Sequence, residues 1–291
     1  MTASSKSLYG IIGYPVTYSL SPVIHNTAFK ELGINAEYQL FPLEENILPE
    51  FFNQLRDEEN NILGLNVTIP YKETVIKYLD SLSPYAKKAM AVNTIVVMPH
   101  GKLNGFNTDG PGFLTDLTKN GFNIQNKKIA ILGSGGAVRA ILSALTLLPK
   151  RPQSIKIFNR HRERTQILVK DLGTRLDLKN VQAVESINDL DIPHADLLIN
   201  ATPLGMRKED ESPVSEEFLH KKLFVYDLIY TRPETKLMKL AQKKGARAVN
   251  GLGMLFSQGI LSFQHWINDE LEEKIKNKIW KNLVKAVEKN G

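Results

Sequence analysis

Hydrophobic and polar positions in the first part of the chain alternate with two different periods. Short apolar runs of strand length, SLYGIIG (7–13), AEYQLF (36–41) and ILGLNVTIP (62–70), are separated by stretches in which apolar residues recur every three or four positions. These stretches predict helices over about 22–32 and 45–56. The order strand, helix, strand, helix, strand is typical of an α/β domain.

Two further strand-like runs follow, NTIVVMP (93–99) and KLNGFN (102–107). His100 and Gly101 separate them, and this dipeptide predicts a hairpin turn. The next stretch, GPGFLTDLTKNG (110–121), predicts a helix that ends at its last glycine and leads into a second unit.

The second unit opens with KKIAILGSGGAVRAILSALTLL (127–148), which reads as a buried strand, a glycine turn and a helix. Four more strand-like runs follow, with helical stretches between several of them: SIKIFNR (154–160), ADLLINAT (195–202), LFVYDLIY (223–230) and ARAVNG (246–251). This order predicts a doubly wound parallel sheet. The tail from Met254 has an apolar stripe at helical spacing, which predicts a long helical stretch that packs on the rest of the protein.

Length and composition favour two domains. The chain has 291 residues, of which 42% are hydrophobic and 23% charged, as in ordinary globular proteins. We predict one domain from residues 1–111 and 252–291 and a second from residues 112–251. The sequence leaves open whether the protein is a monomer or a homodimer.

Composition also excludes several kinds of site. The chain has no cysteine, which excludes disulfides, a thiolate nucleophile and a cysteine zinc site. No apolar run of membrane-spanning length and no signal-peptide core are recognised, so we expect a cytoplasmic protein. The net charge of +6 is concentrated in the last helical stretch, where it indicates a solvated helix face rather than nucleic-acid binding.

The glycine turn in ILGSGGAVRA (131–140) is a candidate phosphate site. Gly133 ends the strand, Gly135 lets the backbone approach a pyrophosphate, and Gly136 and Ala137 open a helix whose N-terminal amides attract anions. The spacing departs from G-x-G-x-x-G, so a tight turn without a ligand stays an alternative.

The end of the following strand indicates which dinucleotide binds. NAD sites place an acidic residue there, whereas the run FNRHRERT (158–165) is basic. Guanidinium groups attract a 2′-phosphate, so we predict NADP rather than NAD, with Arg160 as its first partner. Arginines on the surface of a starting helix are the alternative.

The run NVTIPYK (66–72) carries polar residues inside a strand pattern. Asn66 and Thr68 share one face, and two apolar residues share the other. A solvated edge strand gives the same alternation. As a site, the run would end at the proline so that Tyr71 and Lys72 turn toward a ligand.

Two serines precede a helix near the N-terminus, in GYPVTYSLSPVIHN (13–26). Ser21 directly before Pro22 fits an N-cap, whereas Ser19 has no such structural explanation. Two hydroxyls beside a helix N-terminus can also hold a carboxylate.

Further polar residues occur in AVNT, GFNTDG and MLFSQG, which supply Asn93, Asp109 and Gln258. Taken singly they fit a strand start, a helix cap and an exposed helical residue. Together with Lys72 they form a set without metal-ligand spacing that suits a small polyhydroxylated ligand.

The same runs resemble the shikimate dehydrogenase family from about Tyr9 to Gln264. In order along the chain they are GYPVTYSLSPVIHN, NVTIPYK, AVNT, GFNTDG, GSGGA, NR, NATPLGM, DLIYTRPETKL and MLFSQG. The resemblance implies an α/β substrate-binding domain and a Rossmann-like NADP-binding domain. It also implies reduction of 3-dehydroshikimate to shikimate with NADPH, on the pathway to chorismate and the aromatic amino acids.

Carried over position by position, the resemblance makes Lys72 and Asp109 the catalytic pair. The ammonium would stabilise and protonate the alkoxide that forms at the reduced carbonyl, and Asp109 would orient the ammonium or share its proton. The implied substrate-binding residues are Ser19, Ser21, Asn66, Thr68, Lys72, Asn93, Asp109, Tyr230 and Gln258. The implied cofactor-binding residues are Gly133, Ser134, Gly135, Gly136, Ala137, Asn159, Arg160, Arg164, Ala201, Thr202, Met206, Leu228, Gly251 and Met254.

The chain departs from the family pattern at Tyr71 for phenylalanine, Met90 for glycine, His161 for threonine and Pro203 for serine. His161 changes the expected binding of the 2′-phosphate, because a neutral imidazole is a different partner from the hydroxyl of threonine. Two other functions stay open: a dehydrogenase of quinate and shikimate that uses NAD, and a nucleotide-binding sensor without turnover.

Overall fold

The structure is a computed structural model that describes residues 6–57 and 59–290. It divides into two compact units. One comprises the described residues up to Thr108 together with Phe256–Ala286, and the other comprises Asp109–Leu255 with the residues from Val287 onward. The sequence-based division, 1–111 with 252–291 and 112–251, stays a prediction.

The first unit is built on a mixed sheet. Its elements before residue 109 are β1 (Ser7–Gly13), α1 (Ser21–Leu32), β2 (Ala36–Pro42), α2 (Leu48–Gln54), β3 (Ile62–Val67), β4 (Ser81–Leu82), α3 (Pro84–Ala89), β5 (Thr94–Val97) and β6 (Leu103–Phe106). The strand order is β2-β1-β3-β5-β6-β4. β1 is parallel to β2 and β3, whereas β5 is antiparallel to β3 and β6.

Two local predictions in this unit have different outcomes. The predicted hairpin is confirmed, because β5 and β6 are antiparallel and the Met98 amide donates to the Lys102 carbonyl at 2.7 Å across the turn. The helix predicted over 45–56 is shorter: Glu45–Ile47 is a 3₁₀ turn, and α2 follows it. Pro49 in the first turn of α2 suits a helix start, because that position leaves an amide unpaired in any case.

The second unit is a parallel sheet with helices. Its elements are α4 (Asp109–Lys119), β7 (Lys128–Leu132), α5 (Gly136–Leu147), β8 (Ser154–Phe158), α6 (Arg162–Gly173), β9 (Val181–Ala183), β10 (Leu197–Asn200), β11 (Phe224–Asp227), α7 (Lys236–Lys243) and β12 (Arg247–Asn250). All neighbours in the order β12-β11-β10-β7-β8-β9 are parallel. The chain winds outward from β7 in both directions, so the predicted doubly wound sheet is confirmed.

Apolar residues of β7 cover both faces of this sheet. Ile129 and Ile131 belong to a core cluster that includes Val138 of α5, whereas Ala130 and Leu132 belong to the cluster that includes Leu237 of α7. Burial on both faces explains why the strand reads as a continuous apolar run.

The tail forms two helices, α8 (Leu252–Ile267) and α9 (Glu273–Asn290). The single helical stretch predicted from Met254 is therefore interrupted, and Asn268 after α8 adopts a positive φ of 51°. The predicted packing of the apolar stripe is confirmed, since Leu271 and Leu283 are buried. None of the helices in the described ranges is both long and apolar enough to cross a bilayer.

Candidate active site

The predicted cofactor residues lie at one edge of the second sheet. Parallel strands bring their carboxyl ends together, and segments 133–137, 159–164 and 201–206 directly follow β7, β8 and β10. Leu228 and Gly251 follow β11 and β12 in the same way. Met254 lies in the first turn of α8, which begins after β12.

The glycine turn has geometry that excludes a side chain at its first position. Gly133 has a φ of +109°, and a Cβ placed on it would lie 2.7 Å from the Ala201 carbonyl oxygen. The Gly133 amide donates to the Phe158 carbonyl at 2.8 Å, which fixes the turn against β8. A Cβ on Gly135, before α5, would meet nothing within 4 Å. The helix N-terminus thus faces open space, as pyrophosphate binding requires.

The segment after β8 combines a fixed amide with exposed cations. Asn159 Nδ2 donates to Ser134 Oγ at 2.7 Å, which ties this segment to the glycine turn, and Asn159 Oδ1 accepts from the His161 amide at 2.9 Å. Arg160 and Arg164 are exposed. Guanidinium groups and a neutral amide beside a helix N-terminus fit a 2′-phosphate, and they fit a free ribose hydroxyl less well.

In the first unit, three chain segments bring polar residues to the carboxyl end of β3. The Thr68 amide donates to the Ile12 carbonyl at 2.9 Å, the Val67 amide to the Asn93 carbonyl at 2.9 Å, and the Asn93 amide to the Phe106 carbonyl at 3.0 Å. Because these bonds join the end of β3 to the ends of β1 and β6, residues far apart in sequence meet at one edge.

The Asn93 side chain has a defined orientation at this edge. Its Oδ1 accepts from the Thr108 amide at 2.8 Å, and a backbone N–H is only a donor, so this atom is the oxygen. Nδ2 then donates to Thr108 Oγ1 at 2.9 Å and to Gln258 Oε1 at 3.3 Å. The structure therefore brings together Asn93 and Gln258, two of the predicted substrate residues.

Asn66 is buried beneath the same edge. Its Oδ1 accepts from the Tyr38 hydroxyl at 2.7 Å, and its Nδ2 donates to the Asn93 carbonyl and to Ser262 Oγ, both at 3.0 Å. β3 lies between β1 and β5, so the alternative of a solvated edge strand is wrong. The polar face of β3 instead joins a buried network.

The two serines before α1 differ from expectation in their structural roles. α1 begins at Ser21, the residue before it is Leu20, and Ser21 does not cap the helix, so the predicted N-cap is wrong. Ser19 Oγ instead accepts from the Ser21 amide at 3.2 Å. Ser19 is placed to satisfy this amide because it lies two residues before it. Both side chains still flank the first turn of α1.

The segment after β3 turns only in part as predicted. β3 ends at Val67, before the proline, but Tyr71 is buried and its hydroxyl donates to the Leu43 carbonyl at 2.7 Å. The prediction that Tyr71 turns toward a ligand is therefore wrong, and burial raises the pKa of its hydroxyl. Lys72 is half-buried, and its carbonyl accepts from the Val92 amide at 2.8 Å.

Asp109 and Tyr230 belong to the second unit, and Lys72 belongs to the first. Asp109 is the first residue of α4 and is buried. Tyr230 follows β11, and burial raises the pKa of its hydroxyl, which keeps it a neutral hydrogen-bond donor. No group of three His, Asp or Glu side chains within residues 6–57 and 59–290 has the arrangement of a metal site.

Two family models match the chain. The model described as shikimate dehydrogenase substrate binding domain matches residues 11–95, and the model described as shikimate / quinate 5-dehydrogenase matches residues 116–246. The chain belongs to the shikimate dehydrogenase family. Within this family, the shikimate dehydrogenase (NADP(+)) of Methanopyrus kandleri is 42% identical over 273 residues, which are 92% of each chain. That of Caldanaerobacter subterraneus subsp. tengcongensis is 39% identical over 271 residues, 91% of this chain and 93% of the relative.

Solved structures of this family have the same fold. A shikimate dehydrogenase in complex with NADP⁺ superposes with a TM-score of 0.88 at 35% identity and covers 99% of this chain and 98% of its own. Shikimate 5-dehydrogenase from Thermus thermophilus, in complex with NADP(H) and shikimate, has a TM-score of 0.81 at 30% identity and covers 95% and 99%. The predicted α/β fold with a substrate-binding domain and a Rossmann-like NADP domain is confirmed.

Sequence reasoning missed part of the polar network in this shikimate dehydrogenase family member. Tyr38 and Ser262 were not predicted, although both hydrogen-bond to Asn66. A signal for Ser262 was present, because it follows Gln258 by four residues in a helical stretch and therefore shares its face. Tyr38 has no such signal, since its partner lies on another strand.

Proposed function

We propose that this chain catalyses the reversible reduction of 3-dehydroshikimate to shikimate with NADPH, on the pathway to chorismate and the aromatic amino acids. The curated relatives named shikimate dehydrogenase (NADP(+)) support this reaction and cofactor. The observation that supports it in this structure is the hydrogen-bonded set of Asn93, Thr108 and Gln258, which brings two side-chain amides and a hydroxyl together at one edge of the first sheet. Grouped amides and hydroxyls suit a polyhydroxylated ring.

The residues of the second unit would hold NADPH, which supplies the hydride for the carbonyl carbon when it is bound. The turn from Gly133 to Ala137 and the amides of α5 bind the pyrophosphate. Asn159 positions the turn through Ser134, and Arg160 and Arg164 bind the 2′-phosphate. Ala201, Thr202, Met206, Leu228, Gly251 and Met254 surround the nicotinamide end.

The residues around the substrate have distinct roles. Ser19 and Ser21 bind the carboxylate with the first turn of α1, and the Tyr230 hydroxyl also donates to it. Thr68, Asn93 and Gln258 bind the ring hydroxyls and the carbonyl, and Asn66 belongs to the same set.

Lys72 and Asp109 are the proposed catalytic pair. As the carbonyl carbon is reduced, negative charge develops on its oxygen, and the Lys72 ammonium stabilises this charge and donates the proton. Asp109 is the second member of the pair, and it orients the neighbouring substrate hydroxyl or shares the proton. In the reverse direction the Lys72 amine accepts the proton of the alcohol.

Quinate is the second candidate substrate, because the matched family model carries quinate in its description. We expect it to bind through the same carboxylate-binding serines. We also propose that the protein is cytoplasmic and acts on a small molecule as a monomer or a homodimer. Sedimentation of the purified protein separates the two oligomeric states.

The proposal is tested by initial rates of absorbance change as the nicotinamide is reduced, with shikimate or quinate paired with NADP or NAD. We expect the largest kcat/KM for shikimate with NADP. A larger value for quinate with NAD would assign the second candidate reaction, and no turnover in any of the four pairings would contradict the proposed activity.

A further inference from the structure

Ser262 lies on α8 one helical turn after Gln258 and has a relative exposure of 0%. Its Oγ lies 3.0 Å from Asn66 Nδ2, 2.7 Å from Thr94 Oγ1 and 3.1 Å from Thr108 Oγ1. It also donates to the Gln258 carbonyl oxygen at 3.0 Å. These five residues, Asn66, Thr94, Thr108, Gln258 and Ser262, are called the Ser262 cluster below.

The contacts of the Ser262 cluster share a small number of hydroxyl protons, and the shortest of them favour one assignment. A serine hydroxyl has one proton and two lone pairs. With its proton on the Gln258 backbone carbonyl, Ser262 Oγ accepts from the Asn66 amide and from the Thr94 hydroxyl. Thr94 then has no proton for Asn93 Oδ1, although the two oxygens lie 3.0 Å apart. The Thr108 hydroxyl then donates to Asn93 Oδ1 at 3.2 Å. Ser262 thus supplies an acceptor to two buried donors and fixes which way each one points.

The Ser262 cluster links three strand ends to one helix. Asn66 lies near the end of β3, Thr94 begins β5, and Thr108 follows β6. Both threonines also contact the Asn93 side chain, and Asn93 contacts Gln258. Ser262 is therefore connected through the two threonines to Asn93, and through Asn93 to the Gln258 side chain.

We propose that Ser262 is a positioning residue for shikimate, acting through Thr94 and Thr108 on Asn93 and, through Asn93, on the Gln258 side chain. This inference rests on the proposed function of the chain. Ser262 is fully buried, and its hydroxyl has protein partners on all sides, so we expect it to act without contacting the substrate. Its hydroxyl sets the orientation of the side chains that contact the substrate.

The first test is Ser262→Ala, which removes the acceptor of two buried donors. We expect kcat/KM for shikimate to fall about tenfold or more, while the KM for NADP stays within about twofold of the parent's. A residue with only a structural role would lower the melting temperature and leave the kinetic constants of the folded enzyme unchanged.

Ser257→Ala is the matched control. Ser257 lies on the same helix and is also buried, and its Oγ has no hydrogen-bond partner within the described part of the chain. Its removal takes away a hydroxyl that positions nothing, so we expect parental kinetics. Ser262→Thr retains a hydroxyl and is expected to recover part of the lost kcat/KM.

Thr94→Val supplies an independent test if Ser262→Ala does not fold. Valine has the shape of threonine but lacks the hydroxyl that Ser262 holds, so the same loss specific to shikimate is expected. Parental shikimate kinetics in either folded variant would overturn the role of Ser262. Absence of shikimate turnover in the parent would instead overturn the proposed function, so the two failures are distinguishable.

Discussion

We propose that single side chains after β8 decide the cofactor preference. Arg160 is exposed and precedes α6, where its guanidinium can approach a 2′-phosphate. Arg162 is different, because it pairs with Glu185 Oε2 at 3.1 Å and would have to break this ion pair first. We therefore propose Arg160 and Arg164, and not Arg162, as the partners of the 2′-phosphate, with Arg160 as the first.

Arg160→Ala is expected to raise the KM for NADP about tenfold and to change the KM for NAD little, because only NADP carries the 2′-phosphate. Steady-state kinetics with both cofactors measure this. Arg162→Ala, which removes an arginine from the same segment, serves as the control and should affect both cofactors equally. An equal rise in both KM values for Arg160→Ala would contradict its assignment.

Single residues were also where the sequence was least informative. Lys72, Asp109 and the glycine turn were recognisable, because each belongs to a short motif. The burial of Tyr71 and the hydrogen bond from the Ser21 amide to Ser19 were not, since they depend on the Leu43 carbonyl and on the residue where α1 begins. A motif specifies which residues are present, and the backbone around it decides which of them are buried.

At the scale of elements, the start of α8 is fixed within the second unit by a buried acid. Asp116 of α4 accepts from the Tyr226 hydroxyl at 2.5 Å, and burial raises the pKa of this carboxyl. A Cβ on Gly253, in the first turn of α8, would overlap Asp116 Oδ1. The close approach requires glycine at this position.

Gly253→Ala is expected to lower the free energy of unfolding by about 2 kcal/mol or more, because the helix or the carboxylate must shift. Urea unfolding measures the change. Gly173→Ala is the control, since this helical glycine would place its Cβ 3.9 Å from the nearest side chain and has room for it. Equal stability of the two variants would contradict the account of Gly253.

Elements with a strong period were predicted well from the sequence, and short ones were not. The alternation of apolar strands and helices was enough to predict the doubly wound character of the second sheet. β9 is only three residues long, Val181–Ala183, and has no residue classed as buried, so it leaves little hydrophobic signal. The break between α8 and α9 was missed because apolar spacing continues across it.

At the scale of the whole molecule, a buried histidine makes stability depend on pH. His25 is fully buried beside Tyr38 and Trp266, with ring centroids 4.4 and 4.8 Å away. Burial lowers its pKa to about 3, and the neighbouring Asn66 side chain opposes this only in part. The unfolded chain takes up the proton near pH 6.5, whereas the folded protein does not.

This difference in proton binding decides whether the folded protein gains or loses stability as the pH is lowered. Between about pH 6.5 and pH 3 the unfolded state binds more protons, so stability is highest above pH 6.5 and falls as the pH is lowered. From pH 7.5 to pH 5 we expect His25 to account for a loss of about 2 kcal/mol in the free energy of unfolding. Urea unfolding of the parent and of His25→Phe at both pH values measures the loss of unfolding free energy that is due to His25.

His100→Asn, which removes an exposed imidazole and keeps a residue that tolerates a positive φ, is the control and should retain the parental pH dependence. If His25→Phe lost stability between pH 7.5 and pH 5 as steeply as the parent, the buried neutral histidine would not be the cause.

We propose that Lys72 delivers the proton when the carbonyl is reduced. The most direct measurement is the single-turnover rate of NADPH formation from shikimate and NADP by Lys72→Ala, compared with the parent and with Lys77→Ala. Lys77 is an exposed lysine of the same segment, so its loss changes the net charge equally. We expect the rate to fall at least about a hundredfold in Lys72→Ala and to stay parental in Lys77→Ala. A parental rate in folded Lys72→Ala would contradict the assignment.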